Sequence, residues 1–258
     1  MIDPAFVAAA EAAADLAGGI IRPLFRSALL VEAKGDASPV TEADRAAERA
    51  LRAFLGERFP THGIMGEEYG TERGDAEYLW VLDPIDGTRA FLTGRPLFGT
   101  LIGLLHRGRP VLGLIDQPIT RERWLGVSGE GTRFTGPLGG TIGPRACESL
   151  SVAELACTSP DIFPPAEAAR FEKVRRAARR VSWGGDCYGY GLIPLGLVDA
   201  VVETTLKPWD WAALVPVIEG AGGRMTDWQG KTLTLESPGD VIAVGDPALL
   251  PEIVGLLR

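Results

Sequence analysis

The segment Trp80-Val81-Leu82-Asp83-Pro84-Ile85-Asp86-Gly87-Thr88 carries the densest chemistry in this chain. An apolar strand runs into two aspartates, a proline and a glycine, and then into a hydroxyl residue able to open a helix. Carboxylate oxygens are hard ligands, and Mg²⁺ is usually held by one or two of them together with waters and substrate phosphate. The first turn of a helix offers unpaired N–H groups and the positive end of a dipole to an anion. Asp83 and Asp86 would supply the metal half of such a site, and the amides of Gly87 and Thr88 the phosphate half. An Asp-Pro turn closed by Asp-Gly has the same composition. A plain surface turn, however, does not need a strand as apolar as Trp80-Val81-Leu82 to end in two acids. The pattern points to metal-assisted phosphate chemistry.

Further carboxylates are spaced along the chain. Gly66-Glu67-Glu68 follows the apolar pair Ile64-Met65. On its own it reads as a solvated loop, but sheet neighbours would bring Glu67 and Asp83 to a common edge. Lys207-Pro208-Trp209-Asp210-Trp211 sets one acid before an apolar helix, Ala212 to Ile218. Asp210 reads as an N-cap, and a capping carboxylate keeps lone pairs for a metal. Pro216 inside that helix removes a backbone donor and predicts a kink. Gly230-Lys231-Thr232 resembles the tail of a P-loop, but Met225 stands where the upstream glycine is needed, which excludes one. The arginines from Arg175 to Arg180 end a helix whose first turn carries Glu167, where cations complement the dipole.

The elements that must position these residues follow from periodicity. Pro4 to Leu16 and Thr41 to Phe59 have helical spacing, the first within an amphipathic segment reaching Leu30. Thr41 caps the second segment, with Asp44 completing a capping-box-like arrangement. Lys34 to Pro39 reads as a loop. Leu79 to Leu82, Thr100 to Leu105, Val111 to Asp116 and Trp124 to Val127 read as strands of one sheet. Gly136 to Pro144 is rich in Gly and Pro and marks a lobe boundary. Beyond it, a strand at Ala156 to Thr158, a helix at Pro165 to Arg180, a turn at Gly184-Gly185, a helical segment to Leu195, a strand at Ala200 to Glu203 and a helix from Asp210 alternate as in an α/β lobe.

Composition narrows the function. The chain has 258 residues, 46% hydrophobic and 23% charged, with a net charge of -8. That acidity argues against a nucleic-acid partner and leaves positive charge at a phosphate site to metal and backbone dipoles. Three cysteines without a CxxC pair suggest neither a disulfide framework nor a thiolate zinc site. Two distant histidines, His62 and His106, argue against a His-rich zinc hydrolase. No apolar run reaches the roughly 18 residues a spanning helix needs, and the start lacks a basic stretch before an apolar block. A cytoplasmic protein without a membrane partner is expected.

Four stretches in order resemble the inositol-monophosphatase family of Mg²⁺-dependent, lithium-sensitive phosphatases. They are Ser38-Pro39-Val40-Thr41-Glu42-Ala43-Asp44, Gly66-Glu67-Glu68, Asp83-Pro84-Ile85-Asp86-Gly87-Thr88, and Trp209-Asp210 followed by Glu219-Gly220-Ala221-Gly222-Gly223. The resemblance implies an α/β fold, an α+β layered sandwich with alternating helix and sheet layers in two lobes, here 1–140 and 141–258. It implies that Glu67, Asp83 and the Ile85 carbonyl bind a first metal, and that Asp83, Asp86 and Asp210 bind a second. Asp44 and Thr88 resemble the pair that positions the attacking water, with Glu67 reaching a third metal through water. The Gly87 and Thr88 amides resemble the phosphate cradle. Two or three Mg²⁺ per site are implied, Mn²⁺ fitting the same oxygens, and so are a small phosphomonoester substrate and a homodimer. With no His, Cys or activated Ser in the set, direct attack by water is the expected chemistry.

Within the family, the stretches Arg89 to Thr100, Ile115-Asp116-Gln117-Pro118, Trp183-Gly184-Gly185-Asp186-Cys187-Tyr188 and Leu206 to Asp210 look most like the histidinol-phosphate phosphatase branch. Asp186 stands where inositol-type members carry a small apolar residue. An acid there suits a substrate with an ammonium group and an imidazole. Gly185 beside it and Glu203 complete the expected substrate side, Glu203 matching the family's hydroxyl contact. Trp209 departs from the tyrosine frequent in that branch. The expected activity is hydrolysis of L-histidinol phosphate in histidine biosynthesis. The alternatives are an inositol-1-phosphate or broad sugar-phosphate phosphatase, and a catalytically silent metal-binding regulatory protein.

Overall fold

A computed structural model describes residues 2–27, 31–33 and 39–258. Most of the loop expected over Lys34 to Pro39, with Ser38 of the first family stretch, lies outside the described residues. In chain order the elements are α1 (Pro4–Leu24), β1 (Val31–Ala33), β2 (Pro39–Thr41), α2 (Glu42–Arg58), β3 (Gly63–Gly66), β4 (Gly70–Glu72), β5 (Tyr78–Asp86) and α3 (Thr88–Leu92). There follow β6 (Gly99–His106), β7 (Arg109–Gln117), β8 (Glu122–Val127), β9 (Gly131–Thr135), β10 (Glu154–Cys157), α4 (Pro165–Ala177) and β11 (Arg180–Trp183). The chain ends with α5 (Asp186–Gly191), β12 (Ala200–Glu203), α6 (Pro208–Trp211), α7 (Leu214–Gly220), β13 (Arg224–Thr226), β14 (Val241–Val244) and α8 (Leu250–Leu257).

Among the described residues the larger sheet runs β4-β3-β5-β6-β7-β8-β9, antiparallel except for the β3–β5 pair. The smaller runs β11-β10-β12-β14-β13, with β10 parallel to both of its neighbours. Side chains alternate faces along a strand, and this alternation builds the layers. Trp80 and Leu82 of β5 join Ile102 and Leu104 of β6 under α1 and α2. Leu79 and Val81 face the other way, onto Trp211, Leu214 and Ile218, which also meet Val201 and Ala243 of the smaller sheet. The far face of that sheet, Val202, Ile242 and Val244, packs against Phe171 of α4 and Ile253 of α8. The result is helix, sheet, helix, sheet, helix in five layers. Segment 136–149 carries no strand or helix, and there the chain passes from one sheet to the other.

Several elements end elsewhere than the sequence predicts. α1 continues eight residues past Leu16, because Ala9, Ala10, Ala13, Ala14, Ala17, Gly18 and Ile21 form one buried stripe that lies on α2. By length and apolarity alone α1 could cross a membrane, contrary to the expectation that no apolar run reaches that length, because its few charged residues are spread along 21 residues. Here its stripe of small residues is spent on the core. The helix expected to reach Arg180 stops at Ala177, and Arg180 starts β11, pairing with Glu154 of β10. The segment expected to be helical to Leu195 is α5 followed by turns. The helix expected from Asp210 is split at Ala212-Ala213, since Pro216 has no N–H to bond the carbonyl of Ala212. Pro216 sits instead in the first turn of α7, where a missing donor costs little.

Candidate active site

The pivotal strand end is β5. Residues three apart on a regular strand face opposite sides, whereas the expected metal site needs Asp83 and Asp86 on one side. A bulge solves this. Asp83 pairs with Leu101 and Asp86 with Gly99, so three steps on β5 oppose two on β6. Thr100 Oγ1 anchors the bulge by donating to the Pro84 carbonyl at 2.8 Å. Asp83 Oδ1 accepts the Ile85 amide at 3.0 Å, turning the Ile85 carbonyl toward Thr88, whose hydroxyl lies 3.2 Å from it.

Asp210 arrives from the other half of the chain. It is the third residue of α6, not its N-cap as expected. The cap is Lys207, whose amide donates to Asp210 Oδ2 at 2.7 Å. α6 and α7 reach the sheet because glycines are aligned across it. Gly103 is opposite Gly113, and Gly113 opposite Gly126. A Cβ on Gly113 would lie 1.8 Å from the Ala213 carbonyl oxygen, and one on Gly126 would lie 2.2 Å from that of Pro216. Helix backbone therefore rests directly on strand backbone, bringing Asp210 to the end of β5.

One oxygen each of Asp83, Asp86 and Asp210 lie within 4.8 Å of one another. Burial pushes the Asp83 carboxyl well above the usual range, and the charges of Glu67, Asp86 and Asp210 push it further. Burial, Asp186 and Asp210 do the same to Asp86. Asp210 is pushed up to about 7, chiefly by burial. Such a cluster repels itself until a cation neutralises it, and an all-oxygen donor set fits Mg²⁺. Glu67 comes alongside because β3 runs parallel to β5 with Gly66 opposite Leu82. It lines the same cleft as the three aspartates.

Asp44 lies behind this group. Its Oδ2 closes the capping box of α2, accepting the Thr41 amide at 2.8 Å and the Thr41 hydroxyl at 2.5 Å. Its Oδ1 lies 3.5 Å from Thr88 Oγ1. Gly87 caps α3 at φ +89, a left-handed value natural to glycine. Space there is also tight, since a Cβ would lie 3.0 Å from Asp186 Oδ2. α3 has only five residues, so the expected phosphate cradle rests on its first amides more than on a helix dipole.

The cleft, of about 200 Å³, continues from the aspartates to Asp186, Tyr190, Glu203 and Leu206. Asp186 opens α5 at φ +44, a conformation uncommon for a residue with a Cβ. Burial and the Glu203 charge push its carboxyl up to about 6, against the pull of Arg95 and Arg89. The next amide, Cys187 N–H, donates to Asp86 Oδ2 at 2.5 Å, so α5 is tied directly to the aspartate cluster. Glu203 is buried at the end of β12. Its Oε1 accepts the Thr158 amide at 2.5 Å and its Oε2 the Tyr190 hydroxyl at 2.9 Å, leaving one lone pair on each. Gly185 caps α5 behind Asp186 and does not line the cleft. Sequence reading missed Tyr190 and Thr158, which hold Glu203. Only the proximity of Tyr190 to Asp186 in sequence hinted at the first.

The features set aside at the outset have structural partners. Arg175 and Arg176 pair with Glu172, and Arg180 with Glu154. The Gly230-Lys231 segment is a turn in which Asp227 Oδ1 accepts the amides of Gln229 and Lys231. The three cysteines are buried and unpaired.

Comparison with known proteins bears on the family and the fold. The model of the inositol monophosphatase family matches residues 3–258. A bifunctional phosphatase, IMPL2, of Arabidopsis thaliana is 47% identical over 92% of this chain and 68% of its own length. A histidinol-phosphatase of Mycobacterium tuberculosis is 36% identical over 86% of each chain. A solved inositol monophosphatase from Zymomonas mobilis superposes with a TM-score of 0.90 at 50% identity, covering 98% of both chains. The chain belongs to the inositol monophosphatase family of metal-dependent phosphatases.

Proposed function

We propose that this phosphatase hydrolyses L-histidinol phosphate to L-histidinol and inorganic phosphate, using Mg²⁺ held by Glu67, Asp83, the Ile85 carbonyl, Asp86 and Asp210. The observation that carries the reading is Asp186, an acid on the cleft wall beside Asp86 and Gly87, with the Glu203 charge near enough to raise its pKa. Two carboxylates where the leaving group must lie suit an amino alcohol with an imidazole, which brings N–H donors and positive charge. Support also comes from the histidinol-phosphatases among the relatives. When bound, the cations would neutralise phosphoryl charge and make a neighbouring water a better nucleophile. The chain's own contribution is orientation. Thr88 and Asp44 would hold the attacking water, the Gly87 and Thr88 amides would hold phosphoryl oxygens, and the Asp186 carboxylate would accept from the substrate ammonium.

The test is a phosphate-release panel with and without Mg²⁺, run on the wild type and Asp186→Asn. Asparagine keeps the size of Asp186 and tolerates its positive φ better than alanine. Loss of one charged hydrogen bond predicts a fall of about tenfold to a hundredfold in kcat/KM for histidinol phosphate. The fall for inositol-1-phosphate should be much smaller. The Zymomonas mobilis relative favours a second reading, an inositol monophosphatase. Equal efficiency on both substrates, indifferent to Asp186→Asn, would refute the first reading, and a clear preference for inositol-1-phosphate would support the second.

A further inference from the structure

The loop that carries Glu67 is held by a buried ion pair outside the cleft. Glu48 lies on α2, is fully buried, and points its carboxylate into the hollow of residues 66–69. Its Oε2 accepts the Glu68 amide at 2.7 Å, and its Oε1 accepts the Tyr69 amide at 3.2 Å. The Glu67 amide is fixed separately, donating to the Leu82 carbonyl at 3.3 Å, next to Asp83. All three amides from 67 to 69 thus have set acceptors. Gly66 makes room for this, since a Cβ there would lie 2.1 Å from Glu48 Oε1. Arg52, one turn on, neutralises Glu48 through Nε at 2.7 Å. The same guanidinium donates to the Gly70 carbonyl and pairs with Glu72 at 3.1 Å, clasping the far side of the loop.

We propose that Glu48, neutralised by Arg52, is a positioning residue for the cation site: it pins the backbone on the C-terminal side of Glu67 and so aims that carboxylate at Asp83. A merely structural ion pair would support folding and leave cation affinity alone. A positioning pair sets the affinity, because residues that orient a ligand typically control metal binding by about 10–100-fold. This inference rests on the proposed role of Glu67 as a ligand.

The test uses full-length, metal-free protein titrated with Mn²⁺ and read by electron paramagnetic resonance, with amide hydrogen exchange alongside. Glu48→Gln keeps the size of the side chain but replaces an acceptor oxygen with an N–H2 donor facing an amide donor. Gly66→Ala disturbs the same contact from the other side. Each variant should exchange faster over 66–70 and bind Mn²⁺ about tenfold more weakly. The half-saturating Mg²⁺ concentration in turnover should rise by more than kcat falls. Folded variants with wild-type Mn²⁺ affinity would overturn the proposal. So would rapid exchange of the Glu68 and Tyr69 amides in the metal-free wild type, a measurement that needs no variant to fold. Wild-type protein that binds no Mn²⁺ would sink the functional reading as well, whereas wild-type binding unaffected by Glu48→Gln would sink this inference alone.

Discussion

Thr88 has one hydroxyl hydrogen and two acceptors within reach, the Ile85 carbonyl at 3.2 Å and Asp44 Oδ1 at 3.5 Å. On the proposed function, the relay needs the hydroxyl to donate to Asp44: its proton would pass to the carboxylate as the Thr88 oxygen takes one from a water in the cleft, and donation to the Ile85 carbonyl would leave Thr88 only a hydrogen-bond acceptor for that water. Asp44 is suited to drive that exchange. Burial raises its pKa, while its Thr41 contacts pull the other way and immobilise the carboxylate. Thr88→Val keeps the shape and removes the relay, so turnover should fall about a hundredfold or more, the scale of a lost proton-transfer partner. Thr88→Ser should retain most of it. A kcat for Thr88→Val within threefold of wild type, measured at saturating Mg²⁺, would remove Thr88 from the chemistry. At this scale much was legible. The acids and their order along the chain are visible in the sequence, and the Thr41–Asp44 capping box is a local pattern. Glu48 was not legible, because a glutamate in a charged helical segment reads as surface until the 66–69 loop is folded over it.

Elements place these residues through backbone contacts that hydropathy does not report. The β5 bulge depends on how β5 and β6 register, and the split between α6 and α7 depends on where Pro216 falls relative to the sheet. The aligned glycines Gly103, Gly113 and Gly126 look like weak spots in three strands, yet they are the surface on which Ala212 to Val217 rest. Their alignment is a tertiary fact, invisible until register is known. Strand identity in β5, β6 and β7 was readable because apolar runs between turn residues have few other uses. Gly113→Ala forces a Cβ against the Ala213 carbonyl, so the helix must lift. It should destabilise the protein by about 1–3 kcal/mol and weaken cation binding, since Asp210 is three residues before Ala213. Gly19→Ala in α1, where nothing lies within 4 Å of the added Cβ, is the control. It should stabilise by about 0.5–1 kcal/mol and leave cation binding alone. Thermal melts of both variants with and without Mg²⁺ check the pair. Equal Mg²⁺-induced shifts in Gly113→Ala and wild type would separate the glycine alignment from the site.

For the whole molecule, crowding acids into one cleft makes metal-free stability depend on pH in an unusual direction. Burial raises Asp83, Asp86, Asp44 and Glu203 and, with repulsion from neighbouring carboxylates, brings Asp186 to about 6 and Asp210 to about 7; repulsion adds to Asp83, Asp86 and Asp44 as well. In the unfolded chain each returns to roughly 4. Between about pH 4 and about 7 the folded state therefore holds more protons than the unfolded state, and stability falls as pH rises. His62 opposes this. Burial lowers its pKa, so its contribution grows as pH rises toward about 6.5, but it is one imidazole against six carboxyls. The paired surface acids Glu77, Glu154, Glu172 and Asp246 have lowered pKa values, and their contribution is lost only as pH drops below the usual carboxylate range. A cation binds the deprotonated cluster, so its stabilisation should grow over the same window in which metal-free stability declines. Melting in EDTA should give a lower Tm at pH 8 than at pH 5.5, and saturating Mg²⁺ should raise Tm more at pH 8. A Tm in EDTA that climbs from pH 5.5 to pH 8, or a Mg²⁺ shift equal at both, would mean that these carboxyls do not share one cleft in solution.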